Sequence, residues 1–150
     1  LFERFHWIGQ TIWRASIAML SVAFIFLGAQ SYSQDVALIE SEMVVTAKWV
    51  AANLPPDALI AAHDIGALGF FDEHALIDLA GLISPDVIPF IRDEPQLTNY
   101  LNQQGADYLI AFPGFYPEMT GGVEKVFETN SVVTLKYDEE SMAVYLWKTP

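Results

Sequence analysis

Hydrophobic and polar positions change their spacing twice along the chain. Residues 15–29 read Ala-Ser-Ile-Ala-Met-Leu-Ser-Val-Ala-Phe-Ile-Phe-Leu-Gly-Ala, and the uncharged stretch continues through Gln34. A bilayer core takes about 20 helical residues. Backbone in lipid must satisfy its own hydrogen bonds, so a lone span is a helix. The run therefore predicts a transmembrane helix within a membrane segment of residues 1–34. The spacing then becomes amphipathic. Val36, Ile39, Met43, Ala47, Val50 and Leu54 recur at steps of three and four, which predicts a helix over 36–54. Pro55-Pro56 ends it, because proline lacks the N–H donor and clashes with the preceding turn.

After Pro56 the apolar runs are short and separated by turn residues. Residues 58–62, 75–79 and 107–112 predict buried strands of a parallel sheet. A short helix is expected from Asp64 through Phe71. Ser84-Pro85-Asp86 reads as a helix start with a capping hydroxyl and proline at the first helical position. Residues 94–104 predict another helix, with Gly105 as its stop. Residues 123–127 fit a short helix or an edge strand. Residues 131–137 and 142–148 alternate as an antiparallel hairpin turning at Asp138-Glu139-Glu140-Ser141. The expected fold class is α/β: an N-terminal transmembrane helix, then a small domain over 35–150 with a mainly parallel sheet and a C-terminal antiparallel hairpin.

Charge gives the segment a direction. The chain has 150 residues and a formal net charge of −12. Residues 1–33 hold Glu3, Arg4 and Arg14, a net +1, which leaves −13 for the remainder. Trp7 and Trp13 precede the apolar run as interfacial aromatics, and Tyr32, Asp35, Glu40 and Glu42 follow it. The positive-inside rule then places the N-terminal side in the cytoplasm and the acidic domain on the exoplasmic face of the cell membrane. A secretory signal peptide shares the order of basic then apolar residues. Here, however, Gly28-Ala29-Gln30 leads into an amphipathic helix rather than a mature start. A leading Leu1 suggests a piece of a longer chain. The acidity argues against nucleic acid as a partner, since phosphates need a basic surface. The lack of cysteine excludes thiolate metal sites and cysteine catalysis.

The most visible motif is His63-Asp64-Ile65-Gly66. It spells the signature of HD-type metal phosphohydrolases, but it follows a strand-like run in an α/β pattern, and the one upstream histidine, His6, precedes the membrane run. Two local readings compete. In the first, Asp64 caps the following helix, Gly66 and Gly69 allow close packing on the sheet, and His63 bonds Asp78. In the second, His63, Asp64 and Asp78 line one cleft at the C-terminal ends of adjacent parallel strands, where α/β proteins place ligands such as a sugar or a phosphate. Asp72-Glu73-His74 and Asp138-Glu139-Glu140 read as solvated turns, and the residues from Pro113 to Pro117 as a rigid aromatic loop.

These residues form a larger set. The segment His63-Asp64-Ile65-Gly66-Ala67-Leu68-Gly69-Phe70-Phe71, followed by Leu76-Ile77-Asp78-Leu79-Ala80-Gly81-Leu82-Ile83-Ser84-Pro85, resembles the exoplasmic C-terminal region of bacterial polytopic GT-C-type glycosyltransferases. That class includes protein mannosyltransferases and aminoarabinose transferases. Ala51-Ala52-Asn53-Leu54-Pro55-Pro56 fits the lead-in. The resemblance implies a membrane transferase that moves a sugar from a polyprenyl-phosphate donor to an exoplasmic acceptor. Its implied partners are the bilayer and an upstream transmembrane domain of the same chain. It implies catalytic acidic residues in an early loop absent from this sequence, so no catalytic residue is carried over. It implies no cofactor in this fragment and a divalent metal in some full-length members. His63, Asp64 and Asp78 remain as candidate substrate-binding residues. The rival reading is a membrane-anchored extracytoplasmic binding or sensor module.

Overall fold

The computed structural model describes residues 2–137 and 140–147. Its chain groups into two units, Leu1–Ala37 and Leu38–Pro150. The first unit is helical: α1 runs over Phe2–Leu38. Its large apolar side chains face outward on every side, from Trp13 and Ile17 through Met19, Leu20, Phe24, Ile25 and Phe26. The helix is long and apolar enough to cross a membrane, and none of its most apolar window is buried.

In the second unit a π-helical segment, Ile39–Val44, precedes α2, Val45–Asn53. The widened turn adds a residue to the helical repeat and rotates the buried face. The predicted stripe is therefore only partly buried. Ala47 and Val50 are in the core, whereas Val36 and Ile39 are exposed and the charged Glu42 is fully buried. Leu54 turns to extended backbone at φ −90°, ψ 154°, as a residue preceding proline favours.

The sheet has five strands: β1 Leu59–Ala62, β2 Ala75–Asp78, β3 Tyr108–Ala111, β4 Lys125–Glu128 and β5 Ala143–Leu146. Their order is β2-β1-β3-β5-β4. β1 runs parallel to both β2 and β3, while β5 is antiparallel to β3 and β4. The sheet is thus mixed, with a parallel half and an antiparallel half.

Alternation along the strands builds two cores. Ile60, Ala62 and Ile110 meet Ala47 and Val50 of α2 and Leu68 of α3, Gly66–Phe71. Ala61, Ile77 and Leu109 meet Leu97 and Leu101 of α4, Glu94–Gln104. Helices cover both faces, giving a three-layer α/β domain. α4 is delimited as its sequence indicates. The Asp93 carboxylate accepts the Gln96 backbone N–H at 3.0 Å, and Gly105 takes the left-handed φ of 74° that closes the helix.

The C-terminal hairpin forms from different strands than the alternation predicts. Residues 132–137 are helix α5, Val132–Tyr137, and β5 pairs instead with β4. Ser131 explains the helix: its Oγ accepts the Thr134 N–H at 3.1 Å, an N-cap that overrides the β-branched residues following it. Asp138, Glu139 and Lys148 of the predicted hairpin lie outside the described residues. Glu140 does not simply face solvent, since its Oε2 accepts the Gly114 N–H at 2.6 Å. The Asp72–His74 turn is also not a solvated one. Their side chains are 2% and 5% exposed, His74 Nδ1 lies 2.6 Å from Asp72 Oδ1, and Nε2 lies 2.7 Å from the Pro55 carbonyl. This joins the exit of α2 to the start of β2.

Candidate functional site

All three parallel strands end on one edge of the sheet. β1 is central, with β2 on one side and β3 on the other, so the strand order reverses between β1 and β3. The crevice outside the strand ends at such a switch point is where open α/β sheets bind ligands. Here His63 follows β1, and β3 leads into a 3-10 turn, Pro113–Phe115, and then Tyr116. His63 Nδ1 and the Tyr116 hydroxyl are hydrogen-bonded at 2.7 Å across this crevice. The Phe115 ring stands edge-on to the imidazole, 5.2 Å between centroids. His63, Ile91, Arg92, Glu94, Phe115 and Tyr116 line a cleft of about 340 Å³.

Each wall has a local cause. Glu94 is the first residue of α4, and its Oε2 accepts the Met119 backbone N–H at 2.8 Å, tying α4 to the loop after β3. Arg92 precedes the Asp93 cap and is exposed. It is the only arginine after Arg14 and forms no ion pair among the described residues. Phe115 is 55% exposed, whereas Tyr116 is 4% exposed.

His63 lies in this cleft, but its hydrogen bond is to Tyr116 and not to Asp78. Asp78 is fully buried and organises its own loop. Its Oδ1 accepts the Ala80 N–H at 2.8 Å and its Oδ2 the Ile83 N–H at 2.9 Å. Ser84 does not cap the 3-10 helix Pro85–Phe90; its Oγ accepts the Asp78 N–H at 3.0 Å. Asp64 does not cap α3 either. The cap position is Ile65, with no side-chain hydrogen bond. Gly66 and Gly69 face open space rather than the sheet. Neither Asp64 nor Asp78 is part of the cleft lining, yet both act on Tyr116 through charge.

The Tyr116 phenol is pushed up to about 12, first by burial and then by the negative charges of Asp64, Asp78 and Glu94. The neutral phenol is thereby held as a hydrogen-bonding group beside His63. A raised acid favours the protonated form, so its contribution to stability is complete below about pH 10 and is lost as pH rises through about 12. Burial also raises Tyr145. Wild-type stability should therefore fall between these values, and Tyr116→Phe should fall less steeply. Denaturant melts at graded pH, with phenolate absorbance of both proteins, check this. Identical slopes would contradict it.

Sequence reasoning passed over Arg92 and Glu94, and read Phe115 and Tyr116 only as part of a rigid aromatic loop, without a link to His63. They are distant from His63 in sequence, and only the reversal of strand order brings them beside it. Among the described residues no three histidine, aspartate or glutamate side chains gather as a metal ligand set. The His63-Asp64 pair stands there without the further ligands of an HD-type centre.

A family model described as a domain of unknown function, DUF8728, matches residues 23–145. The chain belongs to the DUF8728 family. The DUF8728 match takes in the second half of the apolar run, the sheet as far as Tyr145 of β5, and every residue of the cleft. No curated protein matches the chain, and no solved structure does.

Proposed function

We propose that this chain is the C-terminal part of a GT-C-like membrane glycosyltransferase. It supplies the last membrane helix and an accessory exoplasmic domain to a catalytic centre formed upstream. The observation that carries this reading is an apolar, membrane-length helix leading into an α/β domain whose switch-point cleft suits a sugar and an anion. Aromatic rings such as Phe115 take the apolar face of a sugar. The Glu94 carboxylate accepts hydroxyls, and the Arg92 guanidinium takes a phosphate oxygen pair. Together they would order a polyprenyl-phosphate sugar or its acceptor, a positioning role that lowers the entropic part of the barrier. Arg4 and Arg14 before the span, with the acidic domain after it, support the exoplasmic side.

The test is sugar transfer from a polyprenyl-phosphate donor in membranes carrying the whole protein. Arg92→Ala should raise KM about tenfold, the loss of roughly 1.4 kcal/mol from one charge-assisted contact, with protein level unchanged. The expressed 150-residue chain alone should be inactive. Unaltered transfer by Arg92→Ala would remove the cleft from the reaction. Transfer unaffected by deleting the whole domain would favour the second reading, a membrane-anchored binding or sensor module, which the unpaired arginine in an aromatic cleft also suits.

A further inference from the structure

A second hollow adjoins the His63–Tyr116 cleft. It has about 350 Å³, is lined by Arg92, Asp93, Glu94, Pro95 and Glu118, and shares Arg92 and Glu94 with the first. The two hollows hold one arginine and three carboxylates. Asp64 and Asp78 are near enough that their charges also act on Tyr116.

The donors in the cleft can be assigned. The Tyr116 phenol is buried and held protonated, and its partner among the described residues is His63 Nδ1 at 2.7 Å. A buried hydroxyl gives its hydrogen to an acceptor within reach. Nδ1 is therefore the acceptor, and the uncharged ring carries its hydrogen on Nε2. Nε2 makes no hydrogen bond among the described residues and is not sealed from solvent. Arg92 has no ion-pair partner there either. The cleft thus offers an anion one positive charge and one neutral N–H donor. Arg92 can pair with one negative charge through two N–H groups. A second negative charge finds no second cation and meets the surrounding carboxylates, whose repulsion is less screened in a cleft than in open solvent.

We infer that the cleft selects a sugar carried on a phosphodiester, with one negative charge, over a phosphomonoester with two. The inference rests on the sugar-and-anion reading in Proposed function and adds the charge of the ligand. In sugar transfer the bond from the anomeric carbon to the bridging oxygen breaks. The acceptor hydroxyl oxygen bonds that carbon, and its proton passes to a carboxylate base. The bridging oxygen stays on phosphorus, so the spent carrier is a monoester with close to a second negative charge at neutral pH. Selection by charge keeps the loaded donor in the cleft and releases the spent carrier.

The test titrates four ligands into the detergent-solubilised full chain at about pH 8, where a phosphomonoester is doubly charged. They are methyl glucoside, glucose 1-phosphate, the methyl diester of glucose 1-phosphate, and a nucleotide diphosphate-glucose. The His63 ring resonances report binding. The methyl diester should bind about tenfold more tightly than glucose 1-phosphate. The nucleotide sugar, also doubly charged, should bind as weakly as the monoester, which separates a lipid-type monophosphate carrier from a nucleotide carrier. Arg92→Ala should bring the diester down to the level of the uncharged glucoside. Glu118 is exposed, and Glu118→Gln should narrow the diester's advantage about threefold. If glucose 1-phosphate or the nucleotide sugar bound as tightly as the diester, and through Arg92, selection by charge would be overturned and the cleft would stand as a sugar-phosphate site. An advantage unchanged by Glu118→Gln would overturn carboxylate repulsion as its cause. No binding of any ligand, or diester binding indifferent to Arg92→Ala, would remove the cleft reading in Proposed function and this inference with it.

Discussion

Asp78→Ala is expected to cost the domain about 3–5 kcal/mol, because it strands two backbone donors at ~1–3 kcal/mol each. The carboxylate is fully buried, and it holds the Ala80 and Ile83 N–H groups at 2.8 and 2.9 Å. Those bonds shape the loop in which Gly81 takes φ 80°, where a side chain's first carbon would lie 2.8 Å from Ile88 Cγ1. Asp78→Asn keeps one acceptor oxygen and should lose about half as much. It also removes one of the negative charges that raise the Tyr116 phenol, so that phenol should titrate lower in the variant. Urea melts of the detergent-solubilised chain, followed by fluorescence, give the first quantity. Phenolate absorbance gives the second. A melt unchanged by alanine would show that the loop does not depend on this carboxylate.

The second large effect is expected at Glu42. Its Oε2 accepts the Met142 N–H at 2.8 Å and the Thr129 hydroxyl, joining the π-helical segment to the antiparallel half of the sheet. Oε1 is buried with no hydrogen-bond partner, as is Thr46 Oγ1. Alanine here would strand the Met142 N–H and leave a cavity, at a cost of about 3–4 kcal/mol. Glu42→Gln keeps an acceptor for that N–H and nearly the same volume, so it should cost about 1 kcal/mol or less. The comparison separates the hydrogen bond and packing from the charge. If glutamine proved as damaging as alanine, the negative charge itself would be what the site requires. Trp49 stacks on Phe127 of β4 at 4.5 Å and is the natural fluorescence reporter for this half of the domain.

The elements that could be read from the sequence are those with local causes. α4 lies between an aspartate cap and a left-handed glycine, α2 stops before two prolines, and β1, β2 and β3 are short apolar runs between turns. α5 was hidden by Val132, Val133 and Thr134, which favour strands, although Ser131 carried the capping signal. Glu42 was hidden by the π-helical turn, which shifts the helix phase by a residue and buries a carboxylate that the regular period places outside the apolar stripe. Of the candidate site, His63 was legible because it follows a strand end. Its partner Tyr116 was not, because the pairing depends on β1 lying between β2 and β3. Asp78 was singled out for a bond to His63 or a place in the cleft; its bonds go instead to the Ala80 and Ile83 N–H groups and organise the loop after β2.

The reading depends most on a lipid-embedded α1 holding the acidic domain on the exoplasmic side. Thiol labelling of Gln103→Cys in intact cells, with a maleimide that cannot cross membranes, tests this directly. Modification without permeabilisation, on a chain that stays with the membrane after alkaline extraction, is the expected result. Modification only after permeabilisation, or release of the chain into the soluble fraction, would contradict it.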